Sequence, residues 1–224
     1  LTPYAYYSYD LYTHIWETQK QKAQEQKKKF LGIMKKNYDD YEWREEEGDF
    51  MRSLKLVSRS SNLTIISQGE DTYSDVMGSM ARFMMESSLP VLAIPTSGLD
   101  KNVGENILIA WDASAEAARA VHDAIPFLIR AKEVTVVSIT EGRKHQSPTE
   151  DICAMLARQG INAKGVIEEE HQDRAARLLH LADEWDVNLI VAGAWGHKRL
   201  LEVIFGGVTK TLFTNQEIAV LFAH

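Results

Sequence analysis

The sequence predicts an α/β protein built on open parallel sheets with helices on both faces. Three observations predict it. Residues 104 to 224 alternate short apolar runs with amphipathic stretches of helical period. Glycines punctuate that alternation where an apolar run gives way to the next element. Part of the same order recurs, in worn form, in the first half of the chain.

In the second half the elements follow in order. Asn106 to Trp111 is a strand, and Ser114 to Arg130 is a helix with Ser114 as its N-cap. Glu133 to Ile139 is a strand, and Thr149 to Gln159 a helix closed by Gly160. Ile161 to Glu168 is a less apolar strand, which suits a sheet edge. His171 to Trp185 is a helix, Val187 to Ala192 a buried strand, Val208 to Phe213 a short helix and Ile218 to Phe222 the last strand.

The first half carries a partial copy. Leu63 to Ile66 matches Leu189 to Ala192, Val76 to Glu86 reads as a helix, and Leu89 to Ile94 matches Glu217 to Phe222. Upstream, Leu11 to Lys36 is a polar helix with a solvated face, Tyr41 to Glu46 reads as a strand, and Asp49 to Ser58 as the helix after it. The opening stretch with Tyr4, Tyr6, Tyr7 and Tyr9 reads as a loop leaving a strand. This half is short by one strand–helix–strand unit: either the unit precedes Leu1, where no methionine stands, or the half is truncated. Pro95 to Glu105 is the linker, giving domains over 1–98 and 104–224.

Composition narrows the function classes. The chain has 224 residues, 45% of them hydrophobic and 25% charged, and a formal net charge of −7. An acidic balance argues against nucleic acid as a partner. No window approaches the roughly 18 consecutive apolar residues of a membrane span. The single cysteine, Cys153, sits in a helical pattern and reads as a small core residue. Without a visible signal peptide or a pair of cysteines, a cytoplasmic location is expected. The seven histidines show no metal-binding spacing, so no metal site is expected.

The most informative feature follows the strand ending at Ala192. Gly193-Ala194-Trp195-Gly196 is followed, after nine residues, by Gly206-Gly207-Val208-Thr209 at the start of the short helix. Glycines at a strand exit and a helix start let backbone N–H groups approach a ligand, and a helix N-terminus suits phosphate. Neither G-x-G-x-x-G nor G-x-x-x-x-G-K-[ST] is present. Taken alone, the two clusters are equally compatible with ordinary loop glycines. His197 stands next to Gly196, within reach of a phosphate. Trp195 either lies against a ribose or packs on the neighbouring helix, and Lys198 and Arg199 either screen phosphate charge or are plain loop residues.

With these segments together, the chain resembles a tandem universal stress protein over nearly all of residues 56 to 224. The resemblance rests on the strand and helix start ILIAWDASAEAARAV, on NLIVAGAWGHKRLLEVIFGGVT, which fits the family's G-x2-G-x9-G-(S/T) pattern up to its last element, and on the closing strands LPVLAIP and EIAVLFAH. It implies two Rossmann-like, adenine nucleotide alpha hydrolase-like, five-stranded sheets forming a pseudo-dimer. It also implies a nucleotide site where the first and fourth strands diverge. Asp112 would contact the adenosine, with Ala113 and Ser114 in the same turn, and a backbone position near Ile139 would contact adenine. The phosphates would lie on the loop from Ala192, Gly193 and Gly196, and on the N–H groups of Gly206, Gly207, Val208 and Thr209. The ligand implied is ATP or AMP, with room for Mg²⁺.

Gly207 departs from the pattern, because the family's ATP-binding members carry Ser or Thr there. The N–H is kept and a hydroxyl is lost, a change of about tenfold in affinity at most, which Thr209 could offset. In the first half, Ser67 and Glu70 match Gly193 and Gly196, and Asp71 follows, so two carboxylates would repel phosphate. That half is expected to serve as a built-in partner, its last strand beside Ile218 to Phe222, with a homodimer of whole chains as a further option. No catalytic residue is evident. The expected function is a regulatory stress-response protein that binds an adenine nucleotide; the alternatives are a nucleotide-free dimerisation scaffold and a slow ATPase.

Overall fold

The computed structural model describes residues 3–68, 83–84, 87, 89–99, 102–140, 149–169, 172–194, 207–215 and 217–224. The chain divides into two compact units, Leu1–Gly48 and Asp49–His224.

The first unit is a helix, α1 (Pro3–Asn37), followed by an extended segment. Helix α1 begins well before the Leu11 expected from sequence. Proline is pre-organised for the first helical position, so Pro3 starts the tyrosine-rich stretch as helix rather than loop. Tyr41 to Glu46 is not a strand. A strand needs a ladder partner, and none is described within this unit. The segment instead sets Tyr41 and Trp43 against Phe30, with ring centroids 5.9 and 5.3 Å apart. Lys27 pairs with Glu45 at 3.3 Å, and the Trp43 indole donates to the same carboxylate at 2.8 Å.

The second unit holds α2 (Phe50–Ser58), β1 (Thr64–Ser67), β2 (Val91–Ile94), β3 (Asn106–Ala110), α3 (Ala115–Leu128), β4 (Glu133–Thr140), α4 (Thr149–Arg158), β5 (Ala163–Glu169), α5 (Arg174–Glu184), β6 (Leu189–Gly193), α6 (Gly207–Thr214) and β7 (Ala219–Ala223). Most of the predicted helix 76–86 lies outside the described residues. Local signals set the helix ends. Ser114 caps α3 by accepting from the Ala117 N–H, Asp49 caps α2 and Asp173 caps α5. Gly160, at φ +79°, ends α4 in a Schellman turn, with Ile161 N–H on Leu156 C=O and Gly160 N–H on Ala157 C=O.

The strands form one seven-stranded sheet in the order β1-β2-β7-β6-β3-β4-β5. All pairs are parallel except β2 with β7, which are antiparallel with Leu92 opposite Leu221. The strands of both halves thus belong to one mixed sheet: the second half supplies five of them and the first half two. Central strands are apolar on both faces because helices cover both. On one face Leu178 and Leu181 of α5 and Leu212 and Phe213 of α6 pack over Leu108, Ile190 and Val220. On the other, Val121 and Leu128 of α3 and Ile152 and Leu156 of α4 pack over Ile107, Val136 and Val191. Among the described strands β5 pairs only with β4, the edge position its polar sequence suggests.

Asn188, 8% exposed, fastens the start of β3. Its side-chain oxygen accepts from the N–H groups of Gly104, Glu105 and Asn106 at 2.9, 2.9 and 3.2 Å. Three successive donors at the start of the strand thereby gain one acceptor.

Candidate functional site

The chain order creates a crevice. From β3 it runs to β4 and β5 on one side, then returns across the sheet to β6 and β7 on the other. Helix α3, leaving β3, packs on one face, and α5, which leads into β6, on the opposite face. The carboxyl ends of β3 and β6 therefore flank a topological switch point, where open α/β sheets take their ligands. Ala110 and Ala192 stand side by side at those ends.

Beyond Ala110 the chain makes a tight turn into α3. The Asp112 carboxylate is exposed and accepts the Ser114 N–H at 2.9 Å, while the Ser114 hydroxyl accepts the Ala117 N–H at 3.1 Å. Ala113 between them has φ +59°, a left-handed conformation that disfavours a Cβ. Ala113→Gly is expected to stabilise the protein by about 1 kcal/mol, read as a higher midpoint in urea unfolding with an unchanged slope.

Gly193, at the end of β6, meets the first turn of α3 just beyond. A Cβ there would lie 2.5 Å from the Ala117 nitrogen and 2.7 Å from the Glu116 carbonyl carbon. The first turn of α3 thus rests directly on the backbone of Gly193. The sequence read this glycine as leaving space for a ligand; the structure gives it a packing role at the same spot. The contact brings the Asp112–Ser114 turn and the end of β6 together, as a shared site requires.

The remaining expected site residues divide. Ile139 is half-buried near the end of β4, opposite Glu168 of β5. Gly207 is the exposed first residue of α6, and a Cβ there would meet no described atom within 4 Å. Val208 is partly buried against the core. Thr209 is buried with Leu212 and Phe213, two residues beyond the exposed Gly207. Trp195, Gly196, His197, Lys198, Arg199 and Gly206 lie outside the described residues, as do Glu70 and Asp71. Ser67 is the exposed last residue of β1.

Sequence reasoning missed two features, one at each end of the sheet. The Trp111 indole nitrogen, just past β3, and the Ser138 hydroxyl of β4 are buried without a hydrogen-bond partner among the described residues. The second is Asn188; the one signal for it is its recurrence as Asn62 in the partial repeat. Cys153 is half-buried, and burial, helped by the charge of Glu150, pushes its thiol pKa up, away from a nucleophile's behaviour. Among the described residues no three His, Cys, Asp or Glu side chains gather into a metal site, and no helix is long and apolar enough to cross a membrane.

Comparison with known proteins agrees with this architecture. The chain is similar to the crystal structure of a universal stress protein from Archaeoglobus fulgidus DSM 4304, with a TM-score of 0.74 at 16% identity, over 94% of this chain and 78% of that one. It is also similar to a functionally unknown protein from Pseudomonas aeruginosa PAO1, with a TM-score of 0.59 at 16% identity, over 88% of this chain and 75% of that one. No curated protein matches the sequence. Residues 104–224, more than half of the chain and the part that carries the switch-point crevice, match the universal stress protein family, and the chain belongs to that family.

Proposed function

We propose that this stress-response protein binds an adenine nucleotide, ATP or AMP, in the crevice at the carboxyl ends of β3 and β6, and that it acts as a regulator rather than a catalyst. The observation that carries this reading is the seating of the first turn of α3, which directly follows the Asp112–Ser114 turn, on Gly193 at the switch point. It sets an exposed carboxylate, suited to ribose hydroxyls, beside the strand whose continuation carries the glycine-rich loop. The exposed start of α6 at Gly207 offers phosphate N–H groups that have no partner within the helix. A Mg²⁺ ion accompanying the phosphates would draw its ligands largely from them and from water. The antiparallel β2–β7 joint supports a second role for the first half, as a built-in partner for the second.

Isothermal titration with ATP, ADP and AMP tests the proposal. Wild-type protein is expected to bind at least one of the three, and Asp112→Ala to weaken that binding by about tenfold or more, as expected for a hydrogen bond to a charged group. Gly207→Ser restores a hydroxyl where the structure has space for it. It is expected to tighten a phosphate-bearing ligand by up to about tenfold and to leave adenosine unchanged. No heat with any nucleotide would move the reading to a ligand-free scaffold. Phosphate release from ATP above background would move it to a slow ATPase.

A further inference from the structure

The β2–β7 ladder ends at Ala93 opposite Val220, and the reason is a proline two residues on. The Thr64 and Gln68 N–H groups donate to the Pro90 and Ile94 carbonyls. Alternate residues of β2 therefore face β1, while Val91, Ala93 and Pro95 face β7. Val91 lies opposite Phe222 and Ala93 opposite Val220, so the next pair in this register is Pro95 with Ile218. Pro95 has no N–H to give, and its carbonyl accepts the Gly98 N–H at 3.1 Å. The Ile218 carbonyl therefore has no ladder donor opposite it.

Two side-chain amides replace what Pro95 withholds. The Asn215 side-chain oxygen accepts the Ile218 N–H at 2.8 Å, and Gln68 Nε2 donates to the Ile218 carbonyl at 2.9 Å. Gln68 is fully buried and its own N–H bonds Ile94, so its side chain reaches past the end of β2 from the first half of the chain to the second. In the partial repeat it corresponds to Ala194, whose N–H bonds Ala223 in the same way but whose side chain has no amide. The clamp thus runs one way, from the first half onto the second. It continues into a helix: Asn215 also accepts the Glu217 N–H at 2.8 Å, and its Nδ2 donates to the Leu212 carbonyl of α6.

Helix α6 has eight residues, about 12 Å of length. Its exit is the clamped end, and its start at Gly207 is the end offered above to phosphate. A tilt of about 10° at the exit would carry the start by about 2 Å, more than a hydrogen bond tolerates. Resting on that nucleotide reading, we propose that Gln68 is a positioning residue for the site: through Ile218 and Asn215, the first half fixes where α6 presents its N–H groups. The half expected to bind no nucleotide then shapes the site without touching the ligand.

The test is isothermal titration of the whole 224-residue protein with ATP, ADP, AMP and adenosine. Gln68→Leu keeps the bulk and removes the donor. It is expected to weaken the phosphate-bearing ligands by about three- to tenfold and to leave adenosine unchanged. Adding Pro95→Ala places a backbone N–H opposite Ile218, and the double variant is expected to recover wild-type affinity, which lost packing alone would not do. Asn215→Ala cuts the same link on the α6 side and is expected to reproduce the phosphate-selective loss. Melting curves of each variant separate lost positioning from lost folding. Unchanged affinity in Gln68→Leu and Asn215→Ala, an equal loss for adenosine, or no recovery in the double variant overturns the proposal while nucleotide binding stands. Wild-type protein that binds none of the ligands overturns both.

Discussion

Gly193→Ala is expected to destabilise the protein by about 3 kcal/mol, with the melting temperature lowered by roughly 6–12 °C on the scaling for a unit of this size. The added methyl would sit 2.5 and 2.7 Å from backbone atoms of Ala117 and Glu116. A side chain could swing aside, but the first turn of α3 is held by the Ser114 cap and by its own buried face. Either α3 tilts off the sheet or the end of β6 bends, and each opens packing that is otherwise dense. Differential scanning calorimetry checks the loss. The same shift would move Asp112 relative to β6, so the nucleotide binding proposed above should weaken in parallel with stability. Gly207→Ala, with open space for its Cβ, should change stability far less.

Asn188→Ala is the second large effect, again about 3 kcal/mol, measured as the drop in urea-unfolding free energy. The side-chain oxygen serves three N–H groups, and that of Gly104 is buried. Truncation leaves a buried donor with neither protein nor water, at about 1–3 kcal/mol, and releases two more at the start of a central strand. Amide exchange should accelerate at Gly104, Glu105 and Asn106 before it does in the middle of β3. Asn62→Ala provides the internal control: the corresponding side chain holds nothing among the described residues, and its removal should leave the unfolding curve in place.

The contrast between these asparagines marks what could be read from residue order alone. Apolar runs such as Leu189 to Ala192 and helical periods such as that of α3 depend on neighbours in the chain, so they were visible. The Ser114 cap and the Gly160 turn are local as well. The start of α1 at Pro3 was missed because the tyrosines that follow carry no apolar period. Tyr41 to Glu46 has the composition of a strand, yet a strand is a property of two segments and no partner is described for this one. The role of Asn188 depends on residues over eighty positions upstream, and the fit of Gly193 on the helix formed after β3. Long-range geometry of this kind is absent from spacing. For the site, sequence placed Asp112 and Gly193 on strand ends that the sheet does bring together. It did not show that Thr209 is buried, because spacing says nothing of what packs against a helical side chain.

One consequence of the mixed sheet concerns the order of events in folding. Strand β7, last in the chain, lies third from the edge, wedged between β2 and β6. Until it arrives, Val91 to Ile94 has no neighbour on that side, and its partners across the gap, Val220 to Phe222, are distant in sequence. Closing so wide a loop is slow, and an apolar strand waiting with a bare flank can pair with the wrong chain. During synthesis that hazard lasts from the emergence of β2 until β7 follows it, a window in which chaperone binding should matter most.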